Sequence, residues 1–392
     1  MNSSQDPAQV GQATDRGLPA AAAPANPAEP SSSAPAHSQV LRAILSQRQL
    51  RDSIRLTSPP SLRITLVAAA QAALTVLLAM VVARLSPWPH LVGFASLGAL
   101  AALFGRFAPL SQRKRIVLLS AGLLTVAVLV QSLVSLAGAA PWLMLLALAL
   151  ITGAATWAVS HWVLGAPGAV IVSFAAGAAL APVSSWAVVA DRGWATAAGG
   201  AIACLVCWAT DWSRSAALPQ LQLPAPVAMP MRDALMTAGR ITLCAALAAL
   251  IASAAGWQHP AWAAIGATAV MQGAHLHITI NRALQRMAGT VVGAMLAGLV
   301  LSQQLGFWWV VALIVLLQFV TELVIGYNYA LGQITVTPMA LLMVYLVAPT
   351  TGGSMPVERI LDTVLGAALG VVFAVVFSTL DDRRYLHQMH QK

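Results

Sequence analysis

From residue 64 onward the chain alternates between long apolar runs and short clusters of polar, proline and glycine residues. A run of roughly 20 mostly apolar residues is long enough to cross the hydrocarbon core of a bilayer as a helix. On that measure the pattern predicts six helices, over about 64–84, 91–105, 116–136, 141–160, 166–187 and 193–211. Six more follow at about 240–256, 260–274, 287–305, 307–326, 329–348 and 357–378. The second run of each group is short, which predicts a tilted or partly re-entrant helix. Between the groups lies a stretch with Pro219, Pro224, Pro226 and Pro230, a linker rather than a domain.

The two groups resemble each other. Arg63-Ile64-Thr65-Leu66-Val67-Ala68-Ala69 differs from Arg240-Ile241-Thr242-Leu243-Cys244-Ala245-Ala246 at one position, at an offset of 177 (240 − 63). Phe94-Ala95-Ser96-Leu97-Gly98-Ala99 resembles Trp262-Ala263-Ala264-Ile265-Gly266-Ala267, at an offset of 168 (262 − 94). Asp191-Arg192 with Gly199 resembles Glu358-Arg359 with Gly366, at an offset of 167 (358 − 191). A near-constant offset reads as one unit used twice, a mark of membrane transporters. The expected architecture is an all-α integral membrane protein of about 12 transmembrane helices, arranged as two parallel six-helix repeats.

Composition agrees. Charged residues make up 8% of the 392 and hydrophobic ones 59%, with a mean hydropathy of +0.78. A soluble domain carries about 25% charged residues, so the bilayer is the expected solvent. The net charge of +9 would suit nucleic acid, but the basic residues lie between apolar runs and not in one patch. They are better read as setting topology. With the N-terminus in the cytoplasm, only Arg84, Arg192 and Arg359 of the 21 basic residues fall outside. The positive-inside rule therefore places both termini in the cytoplasm. Because six is even, both groups then enter from the same side.

The remaining segments follow. Residues 1–39, rich in Ala, Pro and Ser, read as a disordered tail. Residues 40–62 read as an amphipathic cytoplasmic segment, with Val40, Leu41, Ile44, Leu45 and Leu50 near one face. The repeats are expected at 63–212 and 240–378, with the linker at 213–239 and a cytoplasmic tail at 379–392. Cys204 and Cys207 have redox or metal spacing but no second pair, and read as small packed residues, as does Cys244.

The second group carries more specific wording. His259-Pro260-Ala261-Trp262 opens a helix ending at Gln272. Arg282, Arg286 and Gly289-Thr290-Val291-Val292-Gly293 come next, then Tyr327-Asn328-Tyr329 and Thr337-Pro338, and last Glu358-Arg359 with Asp362 and Gly366. This series resembles the fusaric acid resistance-like family, the aromatic acid exporter group of bacterial inner-membrane proteins. The likeness covers about 240–378 and reaches 63–211 through the repeat. It implies proton-driven efflux of aromatic or other hydrophobic carboxylic acids across the inner membrane. It leaves a second copy of the chain and a periplasmic adaptor protein as candidate partners, beside the lipid bilayer and a small organic anion. No nucleic acid, cofactor or metal is expected.

Ionisable groups inside spanning helices cost about 2.5–3.5 kcal/mol each at the helix centre, so the few present are informative. Glu322 lies inside an apolar run with Gln318 one turn earlier. It reads as a proton-binding carboxylate on the substrate path, or as one that snorkels or caps an arginine. Gln333, Thr335, Thr337 and Pro338 make a polar, proline-interrupted stretch in the eleventh helix, and Pro167, Gly168, Ser173, Gly177 and Pro182 do so in the fifth. Interrupted helices at matching places point to a transport site, or to ordinary kinks in a packed bundle. His275, His277, Asn281, Arg282 and Arg286 are expected at the cytoplasmic mouth, as a basic entrance or a topology-setting loop. Asp191, Arg192, Glu358, Arg359 and Asp362 are expected at the periplasmic mouth, as helix-capping groups or an anion-attracting ring.

A secondary exporter is the first reading of function. A passive organic-anion channel and a structural membrane protein stay open as alternatives. An enzyme is not expected, since no histidine has a suitably spaced acidic partner. The topology is testable: reporter fusions after residues 138, 191, 257 and 352 should signal periplasm, and those after 110, 225 and 385 cytoplasm. A periplasmic signal at 225 would break the six-plus-six reading.

Overall fold

The computed structural model describes residues 51, 53–58, 61–214, 228–273, 275–347 and 354–378. The tail expected over 1–39, most of the 40–62 segment, the middle of the linker and the C-terminal tail lie outside the described residues. Among the described residues the chain is helical and has no strand.

Twelve helices are described here in chain order. They are α1 (Leu62–Leu85), α2 (Val92–Ala99, extended by a 3₁₀ turn at Leu100–Leu103), α3 (Leu110–Leu136) and α4 (Pro141–His161). Next come α5 (Ala169–Ala178) and α6 (Trp186–Thr210, extended by a 3₁₀ turn at Asp211–Arg214). The second six are α7 (Met231–Ala254), α8 (Ala261–Met271), α9 (Leu276–Leu301), α10 (Phe307–Val324), α11 (Tyr329–Val347) and α12 (Met355–Val376). Local signals account for several starts. The Ser61 and Ser185 side chains each accept from the amide three residues on, capping α1 and α6. Pro141 and Pro356 sit in the first turns of α4 and α12, where a missing N–H costs nothing.

Nine helices among the described residues are long and apolar enough to cross a membrane. The stretches Pro89–Leu103, Ala169–Ala178 and Ala261–Met271 are shorter. Twelve helices are present among the described residues and the second of each group is short, as expected, but the fifth, expected to be a full span, is short too. Of the run over 166–187, the fifth helix takes only Ala169–Ala178, starting after Gly168 and ending before Pro182, and the last two residues already belong to α6. The short helices are enclosed. Every residue of α8 is buried, and all of α2 except Gly93. A short helix has unpaired backbone groups at both ends, which only protein or a water-filled cavity can satisfy at membrane depth.

Four helices begin well before the places hydropathy predicts: α3 at Leu110, α6 at Trp186, α7 at Met231 and α9 at Leu276. Their first turns carry polar and basic residues that a hydropathy reading assigns to loops. On α9 these include His277, Asn281, Arg282 and Arg286.

Within the first six, α6 packs on α2 and α3, α1 on α2, and α4 on α5. Within the second six, α12 packs on α8 and α9, α7 on α8, and α10 on α11. Between them α4 packs on α7 and α10 on α1, while α5 meets α8 and α11 meets α2. Small residues make the closest crossings possible, as expected where lipid supplies no hydrophobic drive between helices. A Cβ on Gly199 would collide with the Ala95 carbonyl oxygen and lie 3.0 Å from the Ala99 nitrogen. A Cβ on Gly366 would collide with the Ala263 carbonyl oxygen and lie 2.7 Å from the Ala267 nitrogen.

One polar cluster ties α1, α3 and α6 together. Asp211 pairs with Arg113 (3.0 Å) and Arg214 (3.5 Å). Gln71 donates to Asp211 (3.1 Å) and accepts from Arg113 (2.8 Å). All four side chains are buried.

These crossings give a stability test. Gly199→Val and Gly366→Val should each destabilise the detergent-solubilised protein by about 1–3 kcal/mol or more through overpacking. Gly122→Ala and Gly239→Ala, inside helices where a Cβ would meet nothing within 4 Å, should leave the melting temperature unchanged or raise it. Thermal unfolding followed by circular dichroism reads the difference, and an unchanged midpoint for Gly366→Val would refute the close packing.

Candidate functional site

A cavity of about 2070 Å³ lies between the first six helices and the second six. Its rim is formed where α2, α4, α8, α10 and α12 end and α3, α5, α9 and α11 begin. From there it runs inward past Ile265, Gln333, Met339 and Met343 to Arg359. Arg359 lies four residues past the start of α12, about 6 Å along that helix at 1.5 Å per residue. The cavity therefore reaches most of the way from one end of the bundle to the other.

Glu322, Gln318 and Gln333 line it, as do His275, Asn281, Arg282, Arg286 and Arg359. Glu322 is not a lone carboxylate. Arg106, in the turn between α2 and α3, places Nη1 3.1 Å from Glu322 Oε2 and also donates to the Glu322 backbone carbonyl. This contact joins residues 216 positions apart and links the first six helices to the second. Burial pulls the pKa of the Arg106 guanidinium below the ordinary arginine range, and the Glu322 charge opposes that shift. The Arg106 carbonyl in turn accepts from Arg214, so the pair is held by the buried Asp211 cluster. Sequence reasoning assigned Arg106 to topology alone, and nothing local marks its partner.

Gln318 is 1% exposed, and its Oε1 has no hydrogen-bond partner. Arg286, at 3% exposure, donates from Nη1 to the Tyr329 hydroxyl (3.0 Å) and to Gln333 Oε1 (3.2 Å). The loop expected around Arg282 and Arg286 is instead the opening of α9, which turns Arg286 inward. Asn281 accepts from the Ser53 hydroxyl at 2.8 Å. Asn328 donates to the Ser53 and Arg55 carbonyls, so residues 53–57 lie along the rim. His275 is exposed at that rim, its ring stacked 5.9 Å from that of His277, which does not line the cavity.

The rest of the polar stretch in α11 turns away. Thr335 accepts from the Thr321 hydroxyl (2.7 Å) and donates to the Gly332 carbonyl. Thr337 is fully buried against Gly293. Pro338 lies inside α11 and cannot donate to the Ile334 carbonyl. That oxygen faces Gly293, where a Cβ would come within 2.8 Å. The group freed by proline is thus covered by α9 and not by the cavity.

The residues expected at a periplasmic mouth divide. Asp191 and Glu358 are half-buried, and Arg192, Arg359 and Asp362 are 6% exposed or less. Glu358 Oε2 lies 2.7 Å from His259 Nδ1. His259 stacks on Trp262 (4.2 Å between centroids), and the Arg359 guanidinium lies over the same Trp262 ring at 5.2 Å. Neither carboxylate oxygen of Asp362 has a hydrogen-bond partner. Among the described residues no group of three or more His, Cys, Asp or Glu is placed to hold a metal.

Residues 247–373 match the profile of a family described as fusaric acid resistance protein-like. The uncharacterized membrane protein YvaC of Bacillus subtilis is 34% identical over 124 residues, 31% of this chain and 20% of that protein. The chain thus matches about a fifth of the length of that curated relative. No solved structure matches it. With nine membrane-length helices among the described residues the molecule is a multi-pass membrane protein, and over residues 247–373 it is similar to the fusaric acid resistance protein-like family.

Proposed function

We propose that this protein is a secondary transporter that exports aromatic or other hydrophobic organic acids across the bacterial inner membrane. The observation that carries the reading is the cavity between the two groups of helices, with Glu322 and Arg106 at its rim and Arg359 at its inner end. In this reading the groups are two six-helix repeats related by a two-fold axis along the membrane normal. The reciprocal contacts support it, α4 on α7 matching α10 on α1, and α5 on α8 matching α11 on α2. So do Arg192 over Phe94 and Arg359 over Trp262, both at 5.2 Å. Both termini are cytoplasmic and the rim faces the cytoplasm, on the charge distribution already described.

Arg282 and Arg286 draw the acid into the cavity. Glu322 binds the coupling proton. Removing a carboxylate from water disfavours its charged form, while a neighbouring guanidinium favours it. A proton arriving on Glu322 would cancel its attraction for Arg106, and with it a contact holding the two groups together. The same ion pair also satisfies Glu322 as a structural residue, which keeps the passive channel as the second reading.

Proton-driven uptake of candidate acids into inside-out vesicles separates the two. Glu322→Gln should insert and fold yet lose gradient-driven uptake, and Arg282→Ala should weaken apparent substrate affinity. A well-expressed Glu322→Gln protein with full gradient-driven uptake would remove the carboxylate from the mechanism and leave the channel.

A further inference from the structure

Arg192 and Arg359 hold matching places near the starts of α6 and α12, each over an aromatic ring of the neighbouring short helix. Their guanidinium edges differ. Arg192 donates to the carbonyls of Ala179, Ala181 and Pro182, at 3.2, 3.0 and 3.2 Å. Those carbonyls are available because α5 stops at Ala178. The fifth helix of the second group, α11, is longer and is described as far as Val347. Arg359 is 2% exposed, and its Nε and Nη1 have no hydrogen-bond partner. Arg359 lines the cavity, whereas Arg192 does not.

We infer that Arg359, together with Arg286, is the anion-binding site of the cavity and takes the carboxylate of a flat, apolar monocarboxylic acid. This rests on the organic-acid reading and names the residues that anchor the substrate. The Arg359 guanidinium lies over Trp262, and its unpartnered N–H groups suit a carboxylate, which such a fork matches with two parallel hydrogen bonds. Arg286 is aimed by Tyr329 and Gln333 and has an unpartnered Nε. Arg359 feels the positive charge of Arg286 and the negative charge of Asp362. A bound carboxylate would offset the repulsion between the two arginines. The body of the acid has apolar walls to rest on: Ile265 and Phe174, which pack with Trp262, and Met339. Arg192, held by three backbone carbonyls, is structural.

Calorimetric titration of the purified full chain in detergent with benzoate, and with neutral benzamide as comparator, tests this. Benzoate should bind and benzamide should not. Arg359→Gln should weaken benzoate about tenfold or more, the worth of a charge-assisted hydrogen bond. Arg192→Gln should leave benzoate affinity unchanged while lowering the melting temperature. Arg359→Lys keeps the buried charge but loses the fork, and should also weaken benzoate; it serves if the Gln variant does not fold. Wild-type affinity in either folded Arg359 variant would overturn the site, as would an equal loss in Arg192→Gln. If the unmodified protein does not bind benzoate, stabilisation by nitrate decides. Arg359-dependent stabilisation by nitrate keeps the anion site and sinks the organic-acid reading. No stabilisation by either anion sinks the site.

Discussion

A guanidinium in a membrane interior has five N–H donors and no water to receive them, and this protein buries several. Arg113, Arg192, Arg214, Arg286 and Arg359 are all 6% exposed or less. Where each finds partners decides what its part of the bundle can do. Arg113 and Arg214 share Asp211, and through Gln71 they lock α1, α3 and α6 into one block. Arg214 also holds the Arg106 carbonyl, which sets the turn that carries Arg106 to Glu322. A surface ion pair would contribute little. This one is 13% and 11% exposed, backed by a buried cluster, and spans the two groups of helices.

The helices that make room for these groups are the short ones. The stretches that hold α2, α5 and α8 are shorter than a membrane span, and α8 and nearly all of α2 are buried. The end of α5 is where Arg192 finds its three carbonyls. Small residues such as Gly199 and Gly366 let α6 and α12 sit against α2 and α8 at backbone distance. The same construction in the two groups thus yields different electrostatics. The first ties Arg113 and Arg214 to Asp211, and Arg192 to the α5 end. The second keeps Arg286, Arg359, Gln333 and Gln318 on the cavity wall.

Much of this was legible along the chain. Membrane spans follow from composition over about 20 residues, a local property, so most helices were found near their places. The misses lie where composition misleads. The first turns of α3, α7 and α9 are polar but helical, because one face looks into the protein or toward the rim. The run over 166–187 is apolar enough for a span, yet Pro167, Gly168 and Pro182 shorten its helix to ten residues. The matching motifs at Arg192 and Arg359 were visible as words, and both arginines were expected at an outer mouth. Both are buried, one bonded and one not.

The chain by itself determined the solvent, the helical class, the paired motifs and the small set of ionisable residues that must matter in an apolar environment. Only the tertiary structure decided which of them meet. Arg106 and Glu322 are 216 residues apart, and Gln71 and Asp211 are 140 apart. Hydropathy reports what each segment prefers as a medium. It carries no information on which distant charge will occupy the few polar positions inside, since that depends on helix rotation and on where neighbouring helices stop.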